Sequence, residues 1–169
     1  MTTITAPAPQ ESEPSTASER AGEATKIRLQ TPFGEVAYDP DLTLIMPSGM
    51  PGFAGAQRFV ICDLPGVEVN LKLYKCLDAD DINLLVMPLP ANAPLIDRSD
   101  LEDARTALAI DQAAFATLLV VTLGREDGNL QINVNLRAPV LIDADRQEAF
   151  QVVLSNPNYP MRHPVDVGA

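Results

Sequence analysis

From Lys26 onward the chain is cut into short apolar stretches, most of them alternating, each ended by proline, glycine or aspartate. Alternation puts successive side chains on opposite faces of a strand, whereas a helix needs apolar residues three and four apart. Ile27 and Leu29 alternate with Lys26, Arg28 and Gln30; Thr31-Pro32-Phe33-Gly34 reads as a turn, and Val36 and Tyr38 resume the pattern. Asp39-Pro40-Asp41 breaks it before the runs Leu42–Met46 and Phe59–Cys62. In Val69–Leu77, Val69, Leu71, Leu73 and Leu77 are expected on one face, and Asn70, Lys72, Tyr74 and Cys76 on the other. Asn83–Leu89 is nearly continuous in apolar residues, the mark of a strand covered on both faces, and Pro88 and Pro90 must end it. After one helical segment, strands are expected at Thr117–Leu123, Leu130–Arg137, Val140–Ile142 and Phe150–Leu154, with Gly124–Gly128 as a hairpin loop.

The helix is marked by Ser99 and Glu102, spaced as a capping box, with Asp100, Glu102 and Asp103 where the dipole favours negative charge. Leu101, Ala104 and Leu108 supply its inward stripe, and Asp111–Phe115 is expected to add a further helical turn. Nine or ten short strands with one or two short helices predict a mostly β fold. We expect a compact antiparallel β-barrel-like domain. No segment repeats at a fixed period, which argues against a propeller or solenoid.

Residues 1–25 are rich in Ala, Pro, Ser, Thr and Glu, and Ile4 is their only large aliphatic after Met1. Such a segment buries too little apolar surface to offset its ordering entropy and is expected to be a disordered tail. The folded domain is expected over residues 26–165, with 166–169 as a C-terminal end. No apolar run approaches the length of a membrane span, and the N-terminus has no secretion-signal pattern, so the expected location is the cytoplasm. The net charge is −11, and the tail holds only four acids against one arginine, so most of the excess lies on the domain. That surface disfavours nucleic acid and anionic membranes and suits a basic partner.

Reactive groups are sparse. His163 is the single histidine, and no Gly-x-Ser-x-Gly elbow accompanies it. Cys62 and Cys76 lack CxxC spacing and are expected to be reduced, partly buried thiols. Gly49, Gly52 and Gly55 match no phosphate-binding loop. Asp78-Ala79-Asp80-Asp81 begins like a calcium loop, but Ile82 and Leu84 stand where a ligand and a glycine are needed. We therefore expect no enzyme activity, no cofactor and no metal. The corner Pro47–Phe53 is expected to seat Phe53 in the core; the functional alternative is that it presents Met50 and Phe53 to a partner. In Asn156–Pro164, three prolines impose an extended path whose Tyr159, Met161, Arg162 and His163 either pack on the barrel or recognise something.

An ordered set of segments resembles the FliW family of flagellar assembly factors. It comprises Thr31-Pro32-Phe33-Gly34-Glu35-Val36, then Gly49-Met50-Pro51-Gly52-Phe53 with Arg58-Phe59-Val60, then Leu84–Pro88 and Val121-Thr122. Asn135-Leu136-Arg137-Ala138-Pro139-Val140, Gln151–Leu154, and Tyr159 with Arg162-His163-Pro164 complete it. The tail is extra, and the Val69–Leu73 stretch is less aromatic than the family pattern. The resemblance implies a β-barrel-like cytoplasmic protein that binds flagellin and the RNA-binding translational regulator CsrA, which compete for it, and that is monomeric when free. For a basic regulator the candidate contacts are Asp78, Asp80 and Asp81, with Asp97 and the helix acids Asp100, Glu102 and Asp103 behind them. For flagellin an apolar or edge-strand contact is expected, with no residues assigned. Two alternatives stay open: a flagellin-only chaperone or export factor, and a small-molecule-binding barrel or cryptic enzyme.

Overall fold

The computed structural model describes residues 26–166; the expected tail over residues 1–25 lies outside them. In chain order the elements are β1 (Ile27–Thr31), β2 (Gly34–Tyr38), β3 (Leu44–Ile45), β4 (Arg58–Asp63), β5 (Lys72–Cys76) and β6 (Asn83–Pro88). Then come α1 (Arg98–Ala107), β7 (Phe115–Glu126), β8 (Asn129–Val134), β9 (Val140–Asp143), β10 (Glu148–Gln151) and β11 (His163–Val165). β1 and β2 form a separate hairpin. The others pair in the order β11-β8-β7-β6-β5-β4-β3-β10-β9, and β9 returns to β7. That return closes seven strands into a barrel, so the mostly β, barrel-like expectation holds. Its pairings are antiparallel except for one contact, Glu148 of β10 beside Ile45 of β3.

β7 makes closure possible because it is long enough to change partners. Its first residues, Phe115–Leu118, pair with β9, while Val121–Glu126 pair with β8. The backbone N–H of Asn135 donates to Val120 O at 2.9 Å where the partners change over. β8 and β11 thus extend the sheet beyond the barrel as a flap.

Opposed residues in adjacent strands share a face, so the registers sort the side chains. Phe59, Tyr74, Cys76, Val86, Leu118, Val140, Ile142 and Ala149 fill the barrel interior. There the rings of Phe59 and Tyr74 stack, with centroids 4.5 Å apart and planes 9° from parallel. The alternate residues point outward and are apolar too. Val60, Cys62 and Leu73 lie under Val36 of the β1–β2 hairpin. Leu119, Leu141 and Val134 lie under Ile96, Ala104 of α1, Leu136 and Leu154. The barrel is thus covered from outside by a hairpin, a helix and the C-terminal stretch, each over its own part.

That covering corrects several expectations. Lys72–Cys76 is regular strand, but Val69–Leu71 is not, and β5 is buried on both faces instead of one. The capping box does not form: Asp97 is the N-cap residue, Ser99 lies inside the helix, and Glu102 pairs with Arg105. The Asp111–Phe115 segment is a turn, with Asp111 Oδ1 accepting from the Ala113 N–H at 2.8 Å; Phe115 opens β7. The Gly124–Gly128 loop shrinks to Asp127-Gly128. Both have positive φ, 51° and 85°, the pair that a two-residue hairpin turn requires. In the Pro47–Phe53 corner it is Met50 that is buried, whereas Phe53 is 41% exposed. Met50 and Phe53 bridge across a tight turn, with the Phe53 N–H donating to Met50 O at 3.0 Å, and that turn lifts the phenyl ring out of the core. Gly49 and Gly52 adopt φ of 71° and 86° to make the corner, a region side-chain-bearing residues avoid.

Candidate functional site

Three of the candidate acids share the turn between β5 and β6, and Asp78 is held differently from the other two. Asp78 Oδ2 accepts the backbone N–H groups of Gln57 and Arg58 at 2.9 and 2.7 Å, and its Oδ1 pairs with Arg58 Nε at 2.7 Å. These bonds, the backbone ones foremost, hold its carboxyl below the usual aspartate range. Asp78 therefore ties the turn to the start of β4. Asp80 and Asp81 are exposed, and among the described residues neither carboxylate has an ion-pair partner. The backbone beneath them is fixed by Lys75, only 3% exposed, whose Nζ donates to Ala79 O and Asp80 O at 3.2 and 3.0 Å. Asn83 Nδ2 adds a bond to Asp80 O at 2.9 Å. The result is two unpaired carboxylates on a stiff turn, a preorganised contact for a cation.

Asp97 follows β6 and its loop and stands at the N-cap of α1. Its N–H donates to the Tyr159 hydroxyl at 2.9 Å, and that hydroxyl donates to Asp100 at 2.5 Å. Tyr159 thereby ties the C-terminal stretch to the start of α1. Burial, with the Asp100 bond second, raises its pKa above the usual phenol value. Glu102 is held by Arg105, and Asp103 is exposed.

The remaining motif residues serve the scaffold for the most part. Asn135 Oδ1 accepts the N–H groups of Arg137 and Ala138, both at 3.0 Å, which turns the chain out of β8. Leu136 is buried, and its N–H donates to Pro160 O at 3.1 Å; Pro139 is fully buried. His163 begins β11 opposite Val134, and Arg162 is exposed. Pro51, Gly52 and Phe53 form an exposed loop. Asp143 has the same kind of structural duty as Asp78. It accepts from the Asp145 and Arg146 N–H groups at 3.1 Å and from Arg146 Nε at 2.6 Å, and Arg146 reaches Leu108 O and Ala109 O at the end of α1. Cys62 and Cys76 are buried free thiols, and burial pushes Cys62 up to about 11.

Sequence reasoning assigned no residues to a second feature, an apolar groove of about 320 Å³ on the outer face of the sheet. Leu85 and Ile132 form part of its floor, and Phe33, Val67, Leu123 and Leu130 rim it. The available signal was Leu130, a large aliphatic two residues after the Asp127-Gly128 turn. Among the described residues no three of His, Cys, Asp and Glu gather as metal ligands, and no helix is long and apolar enough to cross a membrane.

Comparison with known proteins bears on this arrangement directly. The family model described as FliW protein matches residues 28–165, nearly the whole described domain. This chain belongs to the FliW family. The flagellar assembly factor FliW of Syntrophotalea carbinolica is 31% identical over 145 residues, covering 83% of this chain and 98% of that protein. FliW of Clostridium botulinum strain Langeland is 29% identical over 142 residues, covering 82% and 96%. A crystal structure of the flagellar assembly factor FliW superimposes with a TM-score of 0.62 at 20% identity, over 81% of this chain and 95% of that one, and shares its fold. The shared FliW region starts at β1 and ends at β11, so it takes in both the acidic turn and the groove.

Proposed function

We propose that this FliW protein acts in the cytoplasm by binding flagellin and a CsrA-type translational regulator, so that flagellin synthesis follows filament assembly. Family membership across residues 28–165 carries the reading. The acidic character of the domain supports the regulator half. A protein that grips RNA must be basic, and the unpaired Asp80 and Asp81 carboxylates on a stiff turn offer it complementary charge. The filled barrel interior supports binding at the exterior over binding of a small molecule inside.

A tagged full-length protein pulled from cell lysate is expected to bring down flagellin and the regulator together. Flagellin without the regulator would favour the narrower role of a flagellin chaperone or export factor. With purified regulator, affinity is expected to fall as salt rises. Asp80→Lys with Asp81→Lys should lower it by about tenfold or more, since each reversal replaces an attraction with a repulsion. An affinity indifferent to both changes would sink the assignment of this turn.

A further inference from the structure

The groove on the outer face of β5–β8 has the composition of a docking site. Large hydrophobics scattered singly over a surface need no explanation, but a contiguous patch does. Here four exposed residues from three separate loops and hairpins meet at one depression: Phe33, Val67, Leu123 and Leu130. They come from the β1–β2 turn, the β4–β5 loop and the β7–β8 hairpin. Leu130 is 66% exposed, more than a stray core residue would be. The depression lies between two covers, the β1–β2 hairpin and the α1 side, where the apolar outer face of the sheet stays open.

The charge at its end selects the occupant. In the β7–β8 register Leu123 opposes Ile132 and Arg125 opposes Leu130, so Arg125 lies on the same face as the groove, at its outer end. Arg125 is exposed, and among the described residues it has no ion-pair partner, although the chain carries a net −11. Glu126 and its partner Gln131 belong to the opposite face. An apolar floor with an unpaired guanidinium at its outer end, away from Glu68 on the Val67–Val69 rim, suits an apolar side-chain cluster with a carboxylate placed beside Arg125.

We propose that this groove seats the apolar face of an amphipathic partner segment whose acidic residue meets Arg125. The proposal rests on the function proposed above, in which that segment belongs to flagellin, while the regulator takes the acidic turn.

The test uses the full chain, purified flagellin from the same organism and purified regulator, each titrated calorimetrically. Leu130→Asp places a charge in the groove and is expected to weaken flagellin binding by at least about tenfold, the effect of losing an apolar anchor. Arg125→Glu is expected to weaken it several-fold, and the loss should shrink at high salt. Both variants should bind the regulator no more weakly than the parent. Both positions are exposed, so unchanged thermal unfolding is expected. Flagellin binding by the parent that survives both substitutions would overturn the groove alone. A parent chain that binds no flagellin would overturn the groove together with the function proposed above.

Discussion

The inner and outer faces of the barrel sheet are made of the same residue types, yet they are closed in different ways. Inside, one cluster built from seven strands fills the space, with the Phe59–Tyr74 stack among its largest members. Outside, an equally apolar face is closed piecemeal: the β1–β2 hairpin over β4 and β5, α1 and the C-terminal stretch over β7 and β9. An interior shared by all strands responds as a unit, because every wall contacts the same side chains. Separate covers respond one at a time, and the seam between two of them can stay open without unfolding anything.

The comparison breaks most visibly if the interior proves tolerant. Phe59→Ala removes a fully buried ring from between neighbouring strands and leaves Tyr74 without its stacking partner. A loss of about 3–5 kcal/mol in unfolding free energy is expected by urea denaturation, with a single transition. A loss near zero would mean that the barrel does not fold around this cluster.

A cover should be cheaper to loosen. Tyr159→Phe cuts both hydroxyl bonds that tie the C-terminal stretch to Asp97 and Asp100, but water can reach the groups left behind. About 0.5–1.5 kcal/mol is the expected cost. The pH dependence gives a second reading of the same tie. Burial, and after it the bond to Asp100, favours the protonated phenol against the opposing pull of the Asp97 N–H, so the folded pKa lies above the ordinary 10.0. The tie's contribution is therefore whole below pH 10 and is lost as pH rises through the higher folded value. The difference in stability between parent and variant should shrink in that window. A difference that grew with alkaline pH would contradict the assigned bonds.

The same contrast explains what the sequence disclosed. The alternation read over Leu130–Arg137 holds only to Val134, where Asn135 turns the chain; it and the closing prolines of β6 were legible because period two and proline's missing N–H act locally. The Asp127-Gly128 turn was hidden inside a longer polar stretch, although an Asp-Gly pair is itself a hairpin signal. Which face of β5 was inward was not legible, because Leu73 and Tyr74 are both fully buried and only tertiary covering decides that. The acidic turn could be picked out by composition, whereas the roles within it could not. Asp78 differs from Asp80 through the backbone N–H groups of Gln57 and Arg58 and the Arg58 guanidinium, 21 and 20 residues away in the chain. The groove was illegible for the same reason: Phe33, Val67 and Leu130 are far apart in sequence and meet only on the folded surface.

The smallest expected effect is the sharpest test of the open seam. Leu130→Gln replaces a branched aliphatic with a slightly longer amide at a position opposite Arg125 in the β7–β8 ladder. If the groove is a gap between two covers, Leu130 contributes little to folding, because its side chain is already in water for most of its area. Urea unfolding should then move by no more than about 0.5 kcal/mol in either direction, the range of ordinary surface changes. A loss of 2 kcal/mol or more, on the order of a buried leucine truncation, would mean that some part of the chain packs over Leu130 in solution. The outer face would then be sealed like the inner one, and a binding groove there would have to be opened before anything could enter it.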